Sequence, residues 1–162
     1  MQLPVILDIE ASGFGRGSYP IEIGFSGADG TAFCSLIQPE PDWVHWDDGA
    51  EALHGISREL LHKHGRPARW MAEQLNARLA GQVVYCDGWG HDYTWLARLY
   101  DAVEKQQSFK LEDLRRLLNE DEAQRWKGVT EAVRARQQLT RHRASSDARV
   151  LQLALGEVKT KR

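Results

Sequence analysis

Cysteine is scarce in this 162-residue chain: Cys34 and Cys86 are the only two. Two thiols are too few for a disulfide framework, which excludes the small disulfide-stapled secreted class and points to a reducing, cytoplasmic setting. Net charge is scarce as well. The 21 Lys and Arg against 23 Asp and Glu leave a formal charge of -2. The chain therefore does not coat nucleic acid by bulk charge, and any such contact has to be local. Long apolar runs are missing too. The first one is broken at Asp8 and has no basic segment ahead of it, so neither a signal peptide nor membrane association is expected. There is no internal repeat and no low-complexity segment. The length suits one domain with its own core, expected over residues 1–158, with 159–162 as a frayed tail.

What is present starts with Pro4-Val5-Ile6-Leu7-Asp8-Ile9-Glu10-Ala11-Ser12-Gly13. The apolar run reads as a buried strand. Strand side chains alternate faces, so Asp8 and Glu10 project from the same side. Two carboxylates 4 Å apart repel by about 4 kcal/mol at an effective dielectric of 20. A strand end reaching water would relieve that cost, and so would a divalent metal held between them.

Ile21, Ile23 and Phe25 alternate as a second strand, Gly27-Ala28-Asp29-Gly30 is a turn signal, and residues 31–37 read as a third strand closed by Pro39 and Pro41. Residues 42–61 are less regular, with Ser57 a helix start. Trp70, Met71, Leu75 and Leu79 form a helical stripe behind Pro67. Residues 82–86 read as a buried strand, 87–91 as a loop, and Asp92 as the opening of a helix. Residues 109–114 read as a short strand or turn. A charged helix is expected over 122–139 and a last helix over 145–155, with Gly156 as its stop. A strand meander followed by alternating helices and strands predicts an α/β fold with a mixed, helix-covered sheet.

Asp92 and Asp147 stand at predicted helix starts, and His142 lies five residues before Asp147. Each has a plainer reading: acids are favoured in a first helical turn, and a histidine in a basic loop is commonly solvated. Asp87 and His91 compete with Asp92 for its role. Taken together and in order, Asp8-x-Glu10, Asp92 and His142-xxxx-Asp147 resemble the DEDDh 3′–5′ exonucleases of the DnaQ-like superfamily. Asp8 to Gly13 resembles that family's first motif, in which Thr-Thr is commoner than Ala11-Ser12. Tyr19-Pro20-Ile21-Glu22-Ile23-Gly24 resembles its second strand, and His54-Gly55-Ile56-Ser57 resembles its His-Gly-Ile-Thr segment. Asp87 to Asp92 resembles the second motif, where many members have Phe-Asp instead of His91-Asp92.

The resemblance implies a ribonuclease H-like fold, with a five-stranded sheet of three antiparallel strands and then parallel ones. It implies removal of nucleotides from single-stranded DNA or RNA 3′ ends by two-metal phosphodiester hydrolysis. Asp8, Glu10, Asp92 and Asp147 would hold two Mg²⁺ ions, with Mn²⁺ able to substitute, and His142 would be the general base. Ala11, Ser12, Gly13, His54 and Ile56 would meet the substrate, and Trp89, beside the predicted metal loop, either stacks on a base or packs in the core. Trp43, Trp46, Trp70, Trp95 and Trp126 read as structural. The basic residues from Arg125 to Arg143 could meet phosphates or form a solvated helix face. Two rival classes are a non-catalytic nucleic-acid-binding module of the same fold and a phosphodiesterase acting on short oligonucleotides or nucleotide-linked small molecules. No obligatory polymerase partner is evident, and a homodimer stays open.

Overall fold

The structure, a computed structural model, describes residues 2–138 and 143–160. At its centre is a five-stranded sheet in the order β3-β2-β1-β4-β5. β1 (Val5–Ala11), β2 (Pro20–Ser26) and β3 (Ala32–Leu36) pair antiparallel, while β4 (Val83–Cys86) and β5 (Lys110–Asp113) extend the other side of β1 in parallel. Among the described residues, six helices flank the sheet: α1 (Asp48–His54), α2 (Arg58–His64), α3 (Ala68–Leu79), α4 (Trp89–Ala102), α5 (Glu120–Gln137) and α6 (Ala144–Thr160). This is the expected α/β architecture, with the mixed sheet of a ribonuclease H-like fold. None of the described helices is long and apolar enough to cross a membrane.

The alternation of β1 sorts its side chains between two apolar layers. Val5, Leu7, Ile9 and Ala11 join the core that includes Leu75 of α3 and Leu96 of α4. Ile6 joins the opposite layer with Trp126 and Val133 of α5 and Ala148 and Leu151 of α6. Period two therefore places Asp8 and Glu10 on the Ile6 face, toward α6. Burying a Leu or Ile side chain contributes about 1.5–3 kcal/mol, so the strand is held in register from both sides and its two acids have no freedom to turn away.

β2 sorts the same way. Ile21, Ile23 and Phe25 enter the first core, which leaves Glu22, Gly24 and Ser26 for the α6 side. All three touch α6. Glu22 accepts from the backbone N–H of Ala144, Gly24 lies against Ser145, and Ser26 donates to Gln152.

Some boundaries differ from the sequence reading. α4 begins at Trp89, so residues 89–91 are helical and Asp92 sits in the first turn rather than opening it. Gly88, at φ 79°, supplies the left-handed residue from which the helix starts. α5 begins at Glu120, two residues earlier than expected, behind a reciprocal cap between Asn119 and Glu122. α6 does not stop at Gly156, where a Cβ would lie 3.1 Å from Leu3 Cδ2. The helix continues to Thr160, and Lys159 pairs with Glu122 at 2.6 Å. Lys161 and Arg162 lie outside the described residues. α1 had no counterpart in the sequence reading.

Candidate metal centre

β1 and the first turn of α6 bring three acids together. One carboxylate oxygen from each of Asp8, Glu10 and Asp147 lies within 4.8 Å of the others. Asp92 approaches from the first turn of α4. It is 4% exposed, and its buried Oδ2 has no hydrogen-bond partner among the described residues. A buried, unpartnered carboxylate oxygen beside three more acids is costly unless a cation completes it. This all-oxygen donor set fits a hard divalent cation such as Mg²⁺ or Mn²⁺.

The electrostatics point the same way. Burial pushes the Asp8 carboxyl well above the usual range, and Asp92, Glu10 and Asp147 push it further. Glu10 is raised to about 8, by burial first and then by Asp147 and Glu22. Asp92 is raised mainly by burial, against a lowering hydrogen bond from Cys86. Among the described residues, Arg134 of α5 pairs with this cluster, its Nη2 3.8 Å from Asp147 Oδ1.

A carboxyl raised in the folded chain holds its proton more tightly there than when unfolded. For Glu10 the resulting stability is fully present below pH 4.5 and is lost as pH rises through about 8. The metal-free protein is therefore expected to melt about 7–14 °C lower at pH 9 than at pH 5.5, taking ~1.4 kcal/mol per pKa unit and ~2–4 °C per kcal/mol. Adding Mg²⁺ or Mn²⁺ should recover most at the high end, because binding requires the deprotonated acids. Melting scans with EDTA or with metal across this range check both signs.

A cleft of about 310 Å³ opens beside Glu10 and Asp92. Ala11, Gly13 and Phe14 line the cleft, together with Leu53 and His54 of α1. Phe14, 65% exposed, packs against His91 with ring centroids 4.9 Å apart and planes tilted by 59°, and against Trp95 at 5.9 Å. His54 Nδ1 accepts the Ile56 N–H, so its neutral ring carries the proton on Nε2.

Ser12 is fully buried, with Oγ bonded to His45 Nδ1 and the Tyr19 N–H. Ile56 is 2% exposed and lies in the core. Trp89 lies outside the cleft lining, stacked on Tyr93, with its indole N–H on the Leu111 carbonyl. Asp87 is taken by Arg115 at 2.9 Å. His142 lies outside the described residues, as does Arg141. The basic run is largely committed within the protein: Arg125 pairs with Asp121, Arg136 with Glu157 and Arg143 with Glu22. Trp43, Trp95 and Trp126 are buried, and Trp46 and Trp70 pack against the core from its edge.

Phe14, Leu53 and α1 itself escaped sequence reasoning. Phe14 follows the acid motif directly in a Gly-rich turn, and an exposed aromatic in that place was the available signal.

No family model and no curated protein matches the sequence. Solved structures do match. Exonuclease I from Methylocaldum szegediense superposes with a TM-score of 0.73 at 15% identity, covering 100% of this chain and 41% of that one. A second exonuclease I structure gives 0.73 at 12% identity with the same coverage. E. coli exonuclease I in complex with a dA16 oligonucleotide gives 0.71 at 12%, again over 100% of this chain and 41% of its own. The chain thus spans roughly two fifths of the length of the structures it matches. Over that span it has the ribonuclease H-like fold found in those exonuclease I structures.

Proposed function

We propose that this chain is a divalent-metal-dependent exonuclease that removes nucleotides from single-stranded 3′ ends. The observation that carries the reading is the gathering of Asp8, Glu10 and Asp147 within 4.8 Å, next to the unpartnered buried oxygen of Asp92. Stability alone gives no reason to collect these acids from three elements. The matched fold agrees with it, and the resemblance supplies the direction of cleavage and the role of His142.

Asp8, Glu10, Asp92 and Asp147 would hold the cations, two of them as the resemblance implies. Bound there, such cations neutralise charge and act as Lewis acids toward a phosphodiester. The chain's own residues supply the rest. Phe14, Leu53 and His91 offer apolar and aromatic surface to the terminal base without reading its identity. Ala11 and Gly13 keep the cleft free of bulk. His142 takes a proton from the attacking water at a ring nitrogen. As water adds to phosphorus the P–O3′ bond breaks, which releases a nucleoside 5′-monophosphate and a strand one nucleotide shorter.

The direct assay incubates end-labelled single-stranded DNA and RNA with protein and Mg²⁺, Mn²⁺ or EDTA. Stepwise shortening from the 3′ end, abolished by chelator, is the expected result. Endonucleolytic fragments or no products would contradict it. The small cleft also favours a second reading, hydrolysis of very short oligonucleotides. Rates that rise as the substrate is cut from a 20-mer to a dimer would select it.

Phe14→Ala is expected to raise KM for single-stranded substrate roughly ten-fold, since stacking on an aromatic gives about 1–3 kcal/mol per base. kcat should stay close to wild type if the contact is equal in ground and transition states. Steady-state kinetics on a fixed oligonucleotide separates the two.

A further inference from the structure

We propose that Glu22 and Arg143 form a positioning clamp that sets the N-terminal turn of α6, and with it Asp147, against Asp8 and Glu10. The inference rests on reading those acids as a metal centre.

Glu22 is a charged side chain with 0% exposure. Burying a carboxylate is unfavourable unless its oxygens are fully used, and here they are. Arg143 donates from Nη2 to Oε2 at 2.7 Å and from Nε to Oε2 at 3.1 Å and Oε1 at 3.3 Å. The Ala144 N–H donates to Oε1 at 2.7 Å. One acid thus grips both the residue before α6 and the helix's first free N–H, a use of the helix start that also suits its dipole.

Two further observations tie this grip to the acid cluster. The first is register. Glu22 pairs with Glu10 and Gly24 with Asp8 across the β1–β2 ladder. The residues of β2 that receive α6 are therefore the direct neighbours of the two acids on β1. A Cβ on Gly24 would lie 2.6 Å from the Ser145 nitrogen, so the helix rests on bare backbone there. The second is the helical turn itself. The Asp147 N–H donates to the Arg143 carbonyl at 2.9 Å, so the gripped residue and the acid are joined by one hydrogen bond.

The attachment of α6 as a whole does not depend on this clamp. Further along, Gln152 is fully buried and bonds Ser26, Pro4 and Gly27. Ala148, Leu151, Ala154 and Leu155 pack in the second apolar layer. The helix is fastened at its middle by Gln152 and this seam, and Glu22–Arg143 acts only at the acid-bearing end.

Mn²⁺ titration by calorimetry at pH 8, together with a melting scan, tests the clamp on wild type, Glu22→Gln, Arg143→Ala and Gln152→Ala. Removing groups behind metal ligands typically costs 10–100-fold in affinity. Glu22→Gln and Arg143→Ala should weaken Mn²⁺ binding about ten-fold or more, and lower kcat with little change in KM. Gln152→Ala should lower the melting temperature at least as much while leaving Mn²⁺ affinity within about two-fold. Arg143 is 44% exposed, so its variant carries the test if Glu22→Gln does not fold. Unchanged Mn²⁺ affinity in the clamp variants overturns the inference alone. So does a loss of affinity in Gln152→Ala in step with its melting temperature. A wild-type protein that takes up no Mn²⁺ overturns the metal reading and the clamp with it.

Discussion

Glu10→Gln is expected to abolish turnover and, at pH 9 without metal, to make the protein more stable. The two effects share a cause. Glu10 is raised to about 8 because burial and the neighbouring Asp147 and Glu22 oppose its charge. Above that pH the empty site carries an ionised Glu10 that the fold does not favour, and a neutral Gln of the same shape removes the cost. At ~1.4 kcal/mol per pKa unit, part of the shift converts to about 2 kcal/mol, or roughly 4–8 °C in melting temperature at this size. At pH 5.5 Glu10 is protonated in the folded chain and the substitution should change little. The variant therefore flattens the fall in stability described above for the wild type. Turnover moves the other way. Removing one of the acids that hold the metal should cost about three orders of magnitude or more, equivalent to ~4 kcal/mol of barrier. Melting scans in EDTA at the two pH values and a single-turnover assay in Mg²⁺ measure both. A variant less stable than wild type at pH 9 would mean that the site is not strained by its own charge.

His142→Ala is expected to lower kcat by about 10²–10⁴-fold, the usual contribution of a positioned general base. Mn²⁺ binding and the KM for single-stranded substrate should persist, because neither the four acids nor the Phe14 cleft is altered. A variant that keeps wild-type kcat would remove His142 from the role.

What the sequence made legible was local. Period-two alternation put Asp8 and Glu10 on one face of β1, and the same alternation made Ile21, Ile23 and Phe25 the core side of β2. The convergence of Asp92 and Asp147 on that face was not local, since α4 and α6 reach it only through the tertiary fold. The resemblance supplied the order of the acids, and the structure supplied their proximity.

Three features stayed hidden for physical reasons. α1 is a seven-residue helix capped by Asp47, too short for an apolar stripe. Phe14 and Leu53 line the cleft while staying 65% and 63% exposed, so no burial pattern could announce them. Glu22 and Arg143 are separated by 121 residues, and a distant ion pair has no periodicity. The basic run showed the opposite failing. Its charges were plain in the sequence, while the acids that engage them lie on other elements or elsewhere on the same helix.

Crystals grown at pH 8 and soaked in Mn²⁺, with data collected for anomalous scattering, decide whether the four acids hold a divalent cation. Anomalous peaks are expected within coordination distance of Asp8, Glu10, Asp92 and Asp147, with loss of those peaks in Asp8→Asn. An empty map among these four acids, or Mn²⁺ bound only elsewhere on the chain, would contradict the metal centre.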